Sequence, residues 1–348
     1  MLIGSSQLAI PLISSEVHAA HSPWLQTVDG RVHDHPEVPD RPRVIREALE
    51  AQGLAMRVPP TVHADEAIDA VHDANYHRFF REACVDIAPG TTVVPSAVSL
   101  DHRALDNADL AVQIGHYAFG QDAPLMHATY RAAREACDIA LTGATLVRDG
   151  CSQVFALCRP PGHHAERSRM GGFCYLNNAV IAAHALSQGG RVALLDLDYH
   201  HGNGSQHLTF DRADIFYVSL HADPSFAYPG FSGQTAEIGT GDGTGCNLNI
   251  TLGPHTQIDR YLGAMDQACE AIKAFDPSVL VVSIGFDTHR EDPIAIFGLV
   301  SEDFGRLADR IAMLGVPSLH VLEGGYALHR LGESAVAYVQ GLATAAST

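Results

Sequence analysis

The sequence predicts an α/β fold built around an open parallel sheet, and three observations lead to this fold class. Short apolar runs alternate with amphipathic segments, which is the pattern of repeated βαβ units. The apolar runs are continuous rather than alternating, as expected for parallel strands that are buried on both faces. Polar clusters follow four of these runs, and ligands of open α/β sheets bind beyond the carboxyl ends of the strands. A functional site is therefore expected at that edge of the sheet.

The individual elements follow from these patterns in chain order. The apolar opening Met1–Ile13 lacks the basic residues and the cleavage site of a signal peptide, so we interpret it as a first strand. A loop stiffened by prolines then leads into a helix that ends at Gly53. Further helices are predicted over the ranges Ala128–Arg148, Leu176–Ser187, Gln257–Ala274 and Ser301–Leu314. Further strands are predicted over the ranges Val154–Cys158, Val192–Asp198, Ile215–His221, Val279–Asp287 and Ser318–Gly325. No repeat or linker divides the series, so a single domain over residues 1–348 is expected.

The composition argues against several classes of protein. The 348 residues carry a net charge of −18, and no Lys/Arg cluster of the kind that nucleic-acid binders present is found. No apolar run approaches the length of a membrane span. The 7 cysteines are scattered singly, which is typical of a reducing compartment and not of a disulfide framework. We therefore expect a cytoplasmic protein that binds neither nucleic acid nor membrane.

The segment "LLDLDYHHGNG" predicts a metal site. Asp198 and His200 are separated by one residue, so both side chains can point the same way if the chain is extended there. Asp287 ends another predicted strand and completes a set of two carboxylates and one imidazole. Such a set suits Zn²⁺ or Fe²⁺, and three protein ligands leave a position open for water and substrate. Asp196 would lie behind them. Any one of these residues is explained as a strand-end turn residue, but the combined set favours a metal site.

A second polar cluster, "RPPGHHA", supplies candidate catalytic groups. His163 and His164 are adjacent, and such a pair can provide a general base for the attacking water and a general acid for the leaving amine. Asp196 is the expected partner of one histidine and raises its pKa, whereas the neutral Asn203 faces the other. Tyr326 follows two glycines at the last predicted strand, where its hydroxyl can donate to an oxyanion. The alternative for Tyr326 is simple packing at the start of a helix.

Taken together, the motifs resemble those of a known family. "RPPGHHA", "GGFCYLNN", "LLDLDYHHGNG", "VSLH", "GFD" and "EGGY" are similar in kind and order to the motifs of the histone deacetylase superfamily, with the bacterial acetylpolyamine amidohydrolases as the most similar branch. The resemblance extends from about Ser14 to Gly341. It implies an arginase–deacetylase α/β fold with a central eight-stranded parallel sheet. It also implies a Zn²⁺-dependent amide hydrolase with one zinc ion per chain and a structural K⁺ or Na⁺.

The resemblance also implies a role for each matching residue. The zinc ligands would be Asp198, His200 and Asp287. The catalytic residues would be His163, His164 and Tyr326, with His164 as the general base. The monovalent cation would be held by Asp196, by Ser219 and by the backbone carbonyls of Asp198, His200 and Leu220. The substrate tunnel would be lined by Gly172, Phe173 and Tyr228. Homodimers or higher homo-oligomers are typical of the similar branch.

Three departures from the family pattern bear on the substrate. Asn203 stands where class I enzymes have Asp, and Tyr228 stands where Phe is common; neither alters the chemistry. Ala111 falls where polyamine-cleaving relatives place a Glu that meets the ammonium group of the substrate. Asp109 is expected to face a different direction on the same helix. The remaining candidates for that role, all in the N-terminal loop, are Asp34, Glu37 and Asp40.

We therefore expect a deacylase of small secondary amides that accepts neutral substrates about as readily as cationic ones. An acetylpolyamine-specific deacetylase and an acetyl-lysine protein deacetylase are the open alternatives. An arginase-like ureohydrolase would need a second metal and an additional Asp, but Gly202 and Asn203 follow the histidines instead. A ligand-binding module without catalysis is disfavoured, because neither a metal ligand nor Tyr326 is missing.

Overall fold

The central feature of the fold is a parallel sheet of eight strands. The computed structural model describes residues 9–28 and 31–344, so Met1–Leu8 of the predicted first strand lie outside the described residues. The strands of the central sheet are β1 (Ile10–Ile13), β4 (Ala55–Val58), β7 (Gln153–Ala156), β8 (Val192–Asp196), β9 (Ile215–Ala222), β10 (Asn247–Leu252), β11 (Val279–Ile284) and β12 (Ser318–Leu322). Their spatial order is β10-β9-β8-β11-β12-β7-β1-β4. The fold class predicted from the sequence is confirmed.

Helices cover both faces of this sheet. They are α1 (Asp40–Ala51), α2 (Glu66–Asp69), α3 (Ala74–Asp86), α4 (Leu110–His116), α5 (Thr129–Arg148), α6 (Asn178–Ser187), α7 (Asn203–Thr209), α8 (Ile258–Phe275), α9 (Asp303–Ala312) and α10 (Leu328–Thr344). One apolar core lies between the sheet and α3, α5 and α6. A second core lies on the opposite face, against α1, α8, α9 and α10. Every residue of β8 and β11 is buried, which explains why their sequences are continuous apolar runs.

Shorter elements surround the sheet. Two small antiparallel ribbons pair β2 (Leu25–Val28) with β3 (Arg31–Asp34), and β5 (Thr92–Val93) with β6 (Leu125–Met126). Short 3₁₀ helices cover Val17–Ala20, His102–Asp106 and Gly241–Gly243. Within the described ranges, none of the helices combines the length and the apolarity that a bilayer crossing requires.

The predicted helices and strands are present, but most of the strands end earlier than the sequence suggested, whereas β9 continues to Ala222. β8 ends at Asp196 and β11 at Ile284, so the metal-ligand candidates lie in loops beyond the strands and the chain around Asp198 is bent, not extended. The edge strands β4 and β10 were missed. β10 reads "NLNITL", and its two asparagines interrupt the apolar run that marks the inner strands.

Candidate active site

Four adjacent strands bring the predicted site residues to one edge of the sheet. β8, β11, β12 and β7 are neighbours in the sheet, and the polar clusters of the sequence follow their carboxyl ends. The loop after β8 carries Asp198 and His200, and the loop after β11 carries Asp287. The loop after β7 carries the two adjacent histidines, and the segment between β12 and α10 carries Tyr326. The convergence expected from the sequence is therefore present.

Asp198, His200 and Asp287 form a compact set of metal-ligand atoms. One donor atom from each residue lies within 4.8 Å of the other two, and all three residues are buried. The Nδ1 atom of His200 faces both carboxylates, at 3.1 Å from Asp287 and 3.3 Å from Asp198. Two carboxylate oxygens and one imidazole nitrogen form a donor set that suits Zn²⁺ and leaves further coordination positions for water and substrate.

Backbone N–H groups hold the two carboxylates in place. The amide of Gly324 donates to Asp198 at 2.7 Å, and the amide of Tyr199 donates to Asp287 at 2.9 Å. Gly324 must lack a side chain, because a Cβ atom there would stand 2.5 Å from an oxygen of Asp287 and 2.6 Å from an oxygen of Asp198. Each carboxylate is thus held by a main-chain amide of a neighbouring loop.

The electrostatics of this cluster favour a cation. Burial and the neighbouring charge of Asp198 raise the pKa of Asp287 to about 8, because two buried carboxylates repel each other. The pKa of His200 is raised to about 9: burial lowers it, but the hydrogen bonds and charges of Asp198 and Asp287 outweigh that effect. A divalent cation would stabilise both ionised carboxylates at once. The residues present therefore fit the metal that the sequence predicted.

The two adjacent histidines have different partners, as predicted. Nδ1 of His163 lies 3.1 Å from the carboxylate of Asp196, and Nε2 lies 3.7 Å from Asp198. Burial lowers the pKa of His163, but Asp198 and Asp196 together raise it to about 10. A cation bound at Asp198 offsets part of that negative charge. The surroundings of His163 therefore favour its protonated form.

His164 sits in the opposite environment. Its Nδ1 atom lies 2.8 Å from the amide oxygen of the neutral Asn203. Burial and the proximity of His163 and His200 hold the pKa of His164 well below its usual value. The imidazole is therefore neutral and able to accept a proton. Two titratable groups whose surroundings push their pKa values apart are the usual signature of an acid and base pair.

Glu323 fixes the loop that carries the adjacent histidines. Its carboxylate accepts the backbone N–H groups of Gly162 at 2.7 Å and of His163 at 3.1 Å, and it also accepts from the hydroxyl of Ser283. Glu323 is fully buried. The EGGY motif indicated a role only for its tyrosine, so the role of Glu323 in holding this loop was missed.

Tyr326 faces the cavity with its phenol neutral. Burial raises its pKa well above the usual value, although the nearby Arg41 guanidinium opposes the rise. The amide of Tyr326 donates to the carboxylate of Asp292 at 2.7 Å, and the guanidinium carbon of Arg41 lies 4.8 Å from the ring centroid. The hydroxyl therefore keeps its proton and can donate it in a hydrogen bond.

A cavity of about 410 Å³ opens beside this cluster. Its walls include six residues that the sequence singled out: His164, Gly172, Phe173, His200, Tyr228 and Tyr326. The aromatic walls lie against two candidate catalytic residues. The ring centroids of Tyr228 and His164 are 5.0 Å apart, and those of Phe173 and Tyr326 are 5.8 Å apart. A Cβ atom on Gly172 would stand 2.3 Å from the His164 ring, so this wall requires glycine.

The cavity is also lined by a carboxylate that the sequence did not indicate. Asp122 lines the cavity and accepts the backbone N–H of Gly172 at 2.8 Å. Burial raises its pKa, and its charge together with burial raises the pKa of the Tyr228 hydroxyl. A single Asp in the loop "GQDAP" carries no local signal of its position, which is why it was overlooked.

The other candidates for a carboxylate at the entrance have different roles. Glu37 is fully buried in ion pairs with Arg41 and Arg159, so its proposed place at the mouth is wrong. Asp40 is exposed and pairs with Arg43. Asp109 caps α4 by accepting the amide of Ala111, in agreement with the expectation that it faces away. Ala111 and Asp34 are not among the lining residues that the structure describes.

Asp196 and Ser219, predicted to hold a monovalent cation, are register partners on β8 and β9 and are fully buried. The carboxylate of Asp196 accepts from His163 and from the hydroxyl of Tyr217. The hydroxyl of Ser219 lies 2.8 Å from Nδ1 of His221. The two residues are thus brought together directly behind the loop of the metal ligands, beside Leu220 of the same strand.

Comparison with known proteins places this site in a family. Residues 35–342 match the histone deacetylase domain. The chain belongs to the histone deacetylase family. Its relatives include acetylpolyamine amidohydrolase 1 of Pseudomonas aeruginosa, 39% identical over 96% of this chain and 99% of the relative. Acetylpolyamine amidohydrolase of Mycoplana ramosa is 36% identical over 95% of this chain and 99% of its own length.

Solved structures agree with the histone deacetylase assignment. Acetylpolyamine aminohydrolase from Burkholderia pseudomallei superposes with a TM-score of 0.91 at 34% identity, covering 97% of this chain and 99% of the other. The HDA15 HD domain superposes with a TM-score of 0.81 at 26% identity, covering 97% and 90%. The fold is the arginase–deacetylase fold, and the chain is an amidohydrolase of the histone deacetylase family.

Proposed function

We propose that this chain is a zinc-dependent deacylase that hydrolyses the amide of acylated amines, and that acetylated polyamines are its preferred class of substrate. The observation that carries the proposal is the pairing of a three-residue metal-ligand set with two adjacent histidines of opposite environment, at the base of a 410 Å³ cavity. A bound divalent cation supplies Lewis-acid polarisation of the amide carbonyl and makes water more acidic.

The side chains of the cavity divide the proton transfers between them. His164, neutral and directed at the cavity, takes a proton from the attacking water. The hydroxyl of Tyr326 donates a hydrogen bond to the oxygen that gains negative charge. His163, held by Asp196, gives a proton to the departing amine nitrogen. Phe173, Tyr228 and Gly172 confine the acyl chain and exclude water from it.

Asp122 supports a cationic substrate and revises the sequence-based expectation of equal turnover for neutral amides. It is a carboxylate that lines the cavity itself, so its charge acts over a short distance where salt screens poorly. An acetylated polyamine carries ammonium groups beyond the scissile amide and can place one beside this residue. The names of the relatives from Pseudomonas aeruginosa and Mycoplana ramosa agree with that substrate class.

The test of the proposed function is a turnover panel with zinc-loaded protein. The release of free amine would be measured from acetylputrescine, an acetyl-lysine peptide and an uncharged N-alkyl acetamide of similar length. We expect kcat/KM for acetylputrescine to exceed that for the uncharged amide by more than about tenfold, or about 1.4 kcal/mol. No release of amine from any of the three would overturn the proposal, and equal turnover would restore the small-amide deacylase without charge preference.

Asp122→Asn sharpens that test, because the variant keeps the acceptor for Gly172 and removes only the charge. We expect the preference for acetylputrescine over the uncharged amide to fall by about tenfold, with kcat for the uncharged amide unchanged. Asp109→Asn is the matched control, since it removes the same charge at a helix cap, where Asn is equally suitable. If both variants reduce the preference alike, general surface charge and not Asp122 selects the substrate.

We also propose a structural K⁺ or Na⁺ ion bound by Asp196, Ser219 and the backbone carbonyls of Asp198, His200 and Leu220. The full burial of a carboxylate directly behind the metal ligands supports this proposal, because a buried charge requires compensation. The midpoint of thermal unfolding should be higher in potassium chloride than in choline chloride at equal ionic strength. Identical midpoints in the two salts would count against the ion.

We propose further that the chain forms a homodimer or a higher homo-oligomer and resides in the cytoplasm. Large apolar side chains are exposed at Trp24 (71%), Val32 (65%) and Leu100 (67%); Val32 belongs to the hairpin of β2 and β3, whose Gln26 lines the cavity. The seven cysteines are free thiols, as suits a reducing compartment. Light scattering on the purified protein would measure the mass of the assembly. A monomeric mass at micromolar concentration would contradict the proposed oligomer.

A further inference from the structure

A chain of hydrogen bonds leads from His164 away from the cavity. The Nδ1 atom of His164 lies 2.8 Å from Oδ1 of Asn203. The Nδ2 atom of Asn203 donates to Oε1 of Glu166 at 3.0 Å, and the other oxygen of Glu166 accepts from Nε of Arg169 at 2.9 Å. His164, Asn203 and Glu166 are 4%, 2% and 4% exposed, so water does not replace these contacts.

The orientation of the Asn203 amide determines which nitrogen of His164 carries the proton. Nδ2 of Asn203 faces two groups that only accept, the carboxylate of Glu166 and the backbone carbonyl of His164 at 3.3 Å. Its oxygen must then face Nδ1 of His164, and this nitrogen must donate. The proton therefore sits on Nδ1, and Nε2 keeps the lone pair that a general base needs.

We propose that Glu166 is a positioning residue for the reaction, which acts through Asn203 to hold His164 in the tautomer that accepts a proton at Nε2. This inference rests on the proposed function of His164 as the general base. Glu166 belongs neither to the described residues that line the 410 Å³ cavity nor to the metal-ligand set, so its influence is transmitted through the Asn203 amide.

Glu166 is itself held firmly enough for this role. Arg169 donates to the same carboxylate oxygen through two nitrogens, at 2.9 and 2.5 Å. The main chain of Glu166 donates to the carbonyl of Arg169, and its carbonyl accepts from Nδ1 of His72 at 2.9 Å. The other ring nitrogen of His72 accepts the amide of Asn177, which fixes His72 as an Nδ1 donor. These hydrogen bonds hold the carboxylate against Asn203.

Glu166→Gln is the informative substitution, because it preserves shape and inserts a conflict. The guanidinium of Arg169 only donates and will take the amide oxygen of the new side chain. The NH₂ group then faces the NH₂ group of Asn203. Either that contact is lost or Asn203 turns over, which places its NH₂ group against Nδ1 of His164 and moves the ring proton to Nε2. We expect kcat to fall about ten- to a hundredfold, within the range that general base catalysis contributes, with KM unchanged.

Two second substitutions should restore activity if the orientation of the amide is the cause. In Glu166→Gln with Asn203→Asp, the new carboxylate accepts both from His164 and from the Gln NH₂ group, so kcat should return toward the wild-type value. In Glu166→Gln with Arg169→Leu, the Gln oxygen is free to face Asn203 again, and kcat should also rise. A residue with a merely structural role would not be rescued by either change, so the absence of both rescues overturns the proposal.

Two further measurements separate this inference from the proposed function. Zinc content and the midpoint of thermal unfolding should match those of the wild type, since a fall in either one would assign the loss to folding and overturn the positioning role. The ¹⁵N shifts of the His164 ring, identified by comparison with His164→Gln, report the tautomer without any substrate. A shift to the Nε2–H form in Glu166→Gln supports the inference even if no amide is hydrolysed, whereas an unchanged Nδ1–H form refutes it even in an active enzyme.

Discussion

Two buried clusters of charged residues lie on either side of the adjacent histidines, and they differ in how their charges are balanced. In the metal-ligand cluster, two carboxylates and one imidazole face one another within 4.8 Å. In the arginine cluster, Glu37 accepts from Arg41 at 3.0 Å and from Arg159 at 2.7 Å, and all three side chains are fully buried. Both clusters consist of buried charged side chains, so burial alone does not distinguish them.

The remaining donors explain the difference between the clusters. Arg159 also donates to the carbonyls of His18 and His21, both at 2.8 Å, and Arg41 donates to the carbonyls of Glu323 and Gly325. In the arginine cluster, two guanidinium groups thus face one carboxylate, and backbone carbonyls accept their remaining hydrogen bonds. In the metal-ligand cluster, two carboxylates share one imidazole and the backbone amides of Gly324 and Tyr199, and a bound cation would stabilise both. We therefore expect the arginine cluster to serve stability and the metal-ligand cluster to serve function.

The largest expected loss of activity follows from removing a residue of the metal-ligand cluster. Asp287→Ala leaves two ligands, which hold zinc poorly, so both the metal and turnover should be lost. Zinc per chain and amine release would be measured together, and chelation of the wild type followed by addition of zinc provides the reversible control. Full activity in metal-free protein would contradict this expectation, as would two tightly bound divalent ions per chain.

Removing the carboxylate of the arginine cluster should instead lower the stability of the folded protein. Glu37→Gln leaves two buried guanidinium groups without a counter-charge, and the free energy of unfolding should fall by about 3–5 kcal/mol. Urea denaturation measures this change. Glu47→Gln is the matched control, because Glu47 pairs with Arg43 on the surface with 51% of its side chain exposed and should lose less than about 1 kcal/mol. Similar losses in the two variants would mean that the arginine cluster contributes no more than a surface ion pair.

Tyr326 lies between the two clusters and tests the chemistry apart from metal binding. Tyr326→Phe keeps the ring that Arg41 approaches and removes the hydroxyl, so the zinc content should stay constant. We expect kcat to fall by about 10² to 10³, the usual effect of losing one oxyanion donor, and His164→Ala should lose at least as much. Turnover at the wild-type rate in Tyr326→Phe would show that another group stabilises the oxyanion.

The arginine cluster should also make the free energy of unfolding depend on pH in acid. Burial raises the pKa of Glu37, but Arg159 and Arg41 outweigh it and lower the pKa from 4.5 to about 2. Because the folded-state pKa lies below the unfolded value, this carboxylate contributes about 3 kcal/mol above pH 4.5 that disappears as the pH falls toward 2. The decline in unfolding free energy over that interval should be shallower in Glu37→Gln. An unchanged slope would refute the assignment.

The sequence could predict the metal-ligand cluster better than the arginine cluster. Asp198 and His200 are two residues apart beside an adjacent pair of histidines, and short spacings of this kind have few structural explanations. Glu37 and Arg159 are 122 residues apart, and no local pattern connects them. Glu37 was therefore kept among three candidates for the cavity entrance, and Asp122 was overlooked, because the position of a loop carboxylate depends on long-range packing.

The same limit applies to the backbone. The inner strands were recognised because burial on both faces demands a continuous apolar run, as in β11. The edge strand β10 has partly exposed positions and polar residues, so periodicity did not reveal it. The loops that carry Asp198 and Asp287 beyond the strands obey no periodicity at all. Their course is set by contacts such as the amide of Gly324 on Asp198.

The contacts of Arg41 also bear on how the protein acquires its activity. This side chain lies near the beginning of the chain and binds the carbonyl of Gly325, a separation of 284 residues. The loop that presents Tyr326 is thus completed only when these two distant segments have met. Closing so large a loop is entropically costly, and topologies rich in distant contacts fold slowly. During synthesis on the ribosome, all residues from Arg41 to Gly325 must therefore emerge before the loop of Tyr326 can be completed.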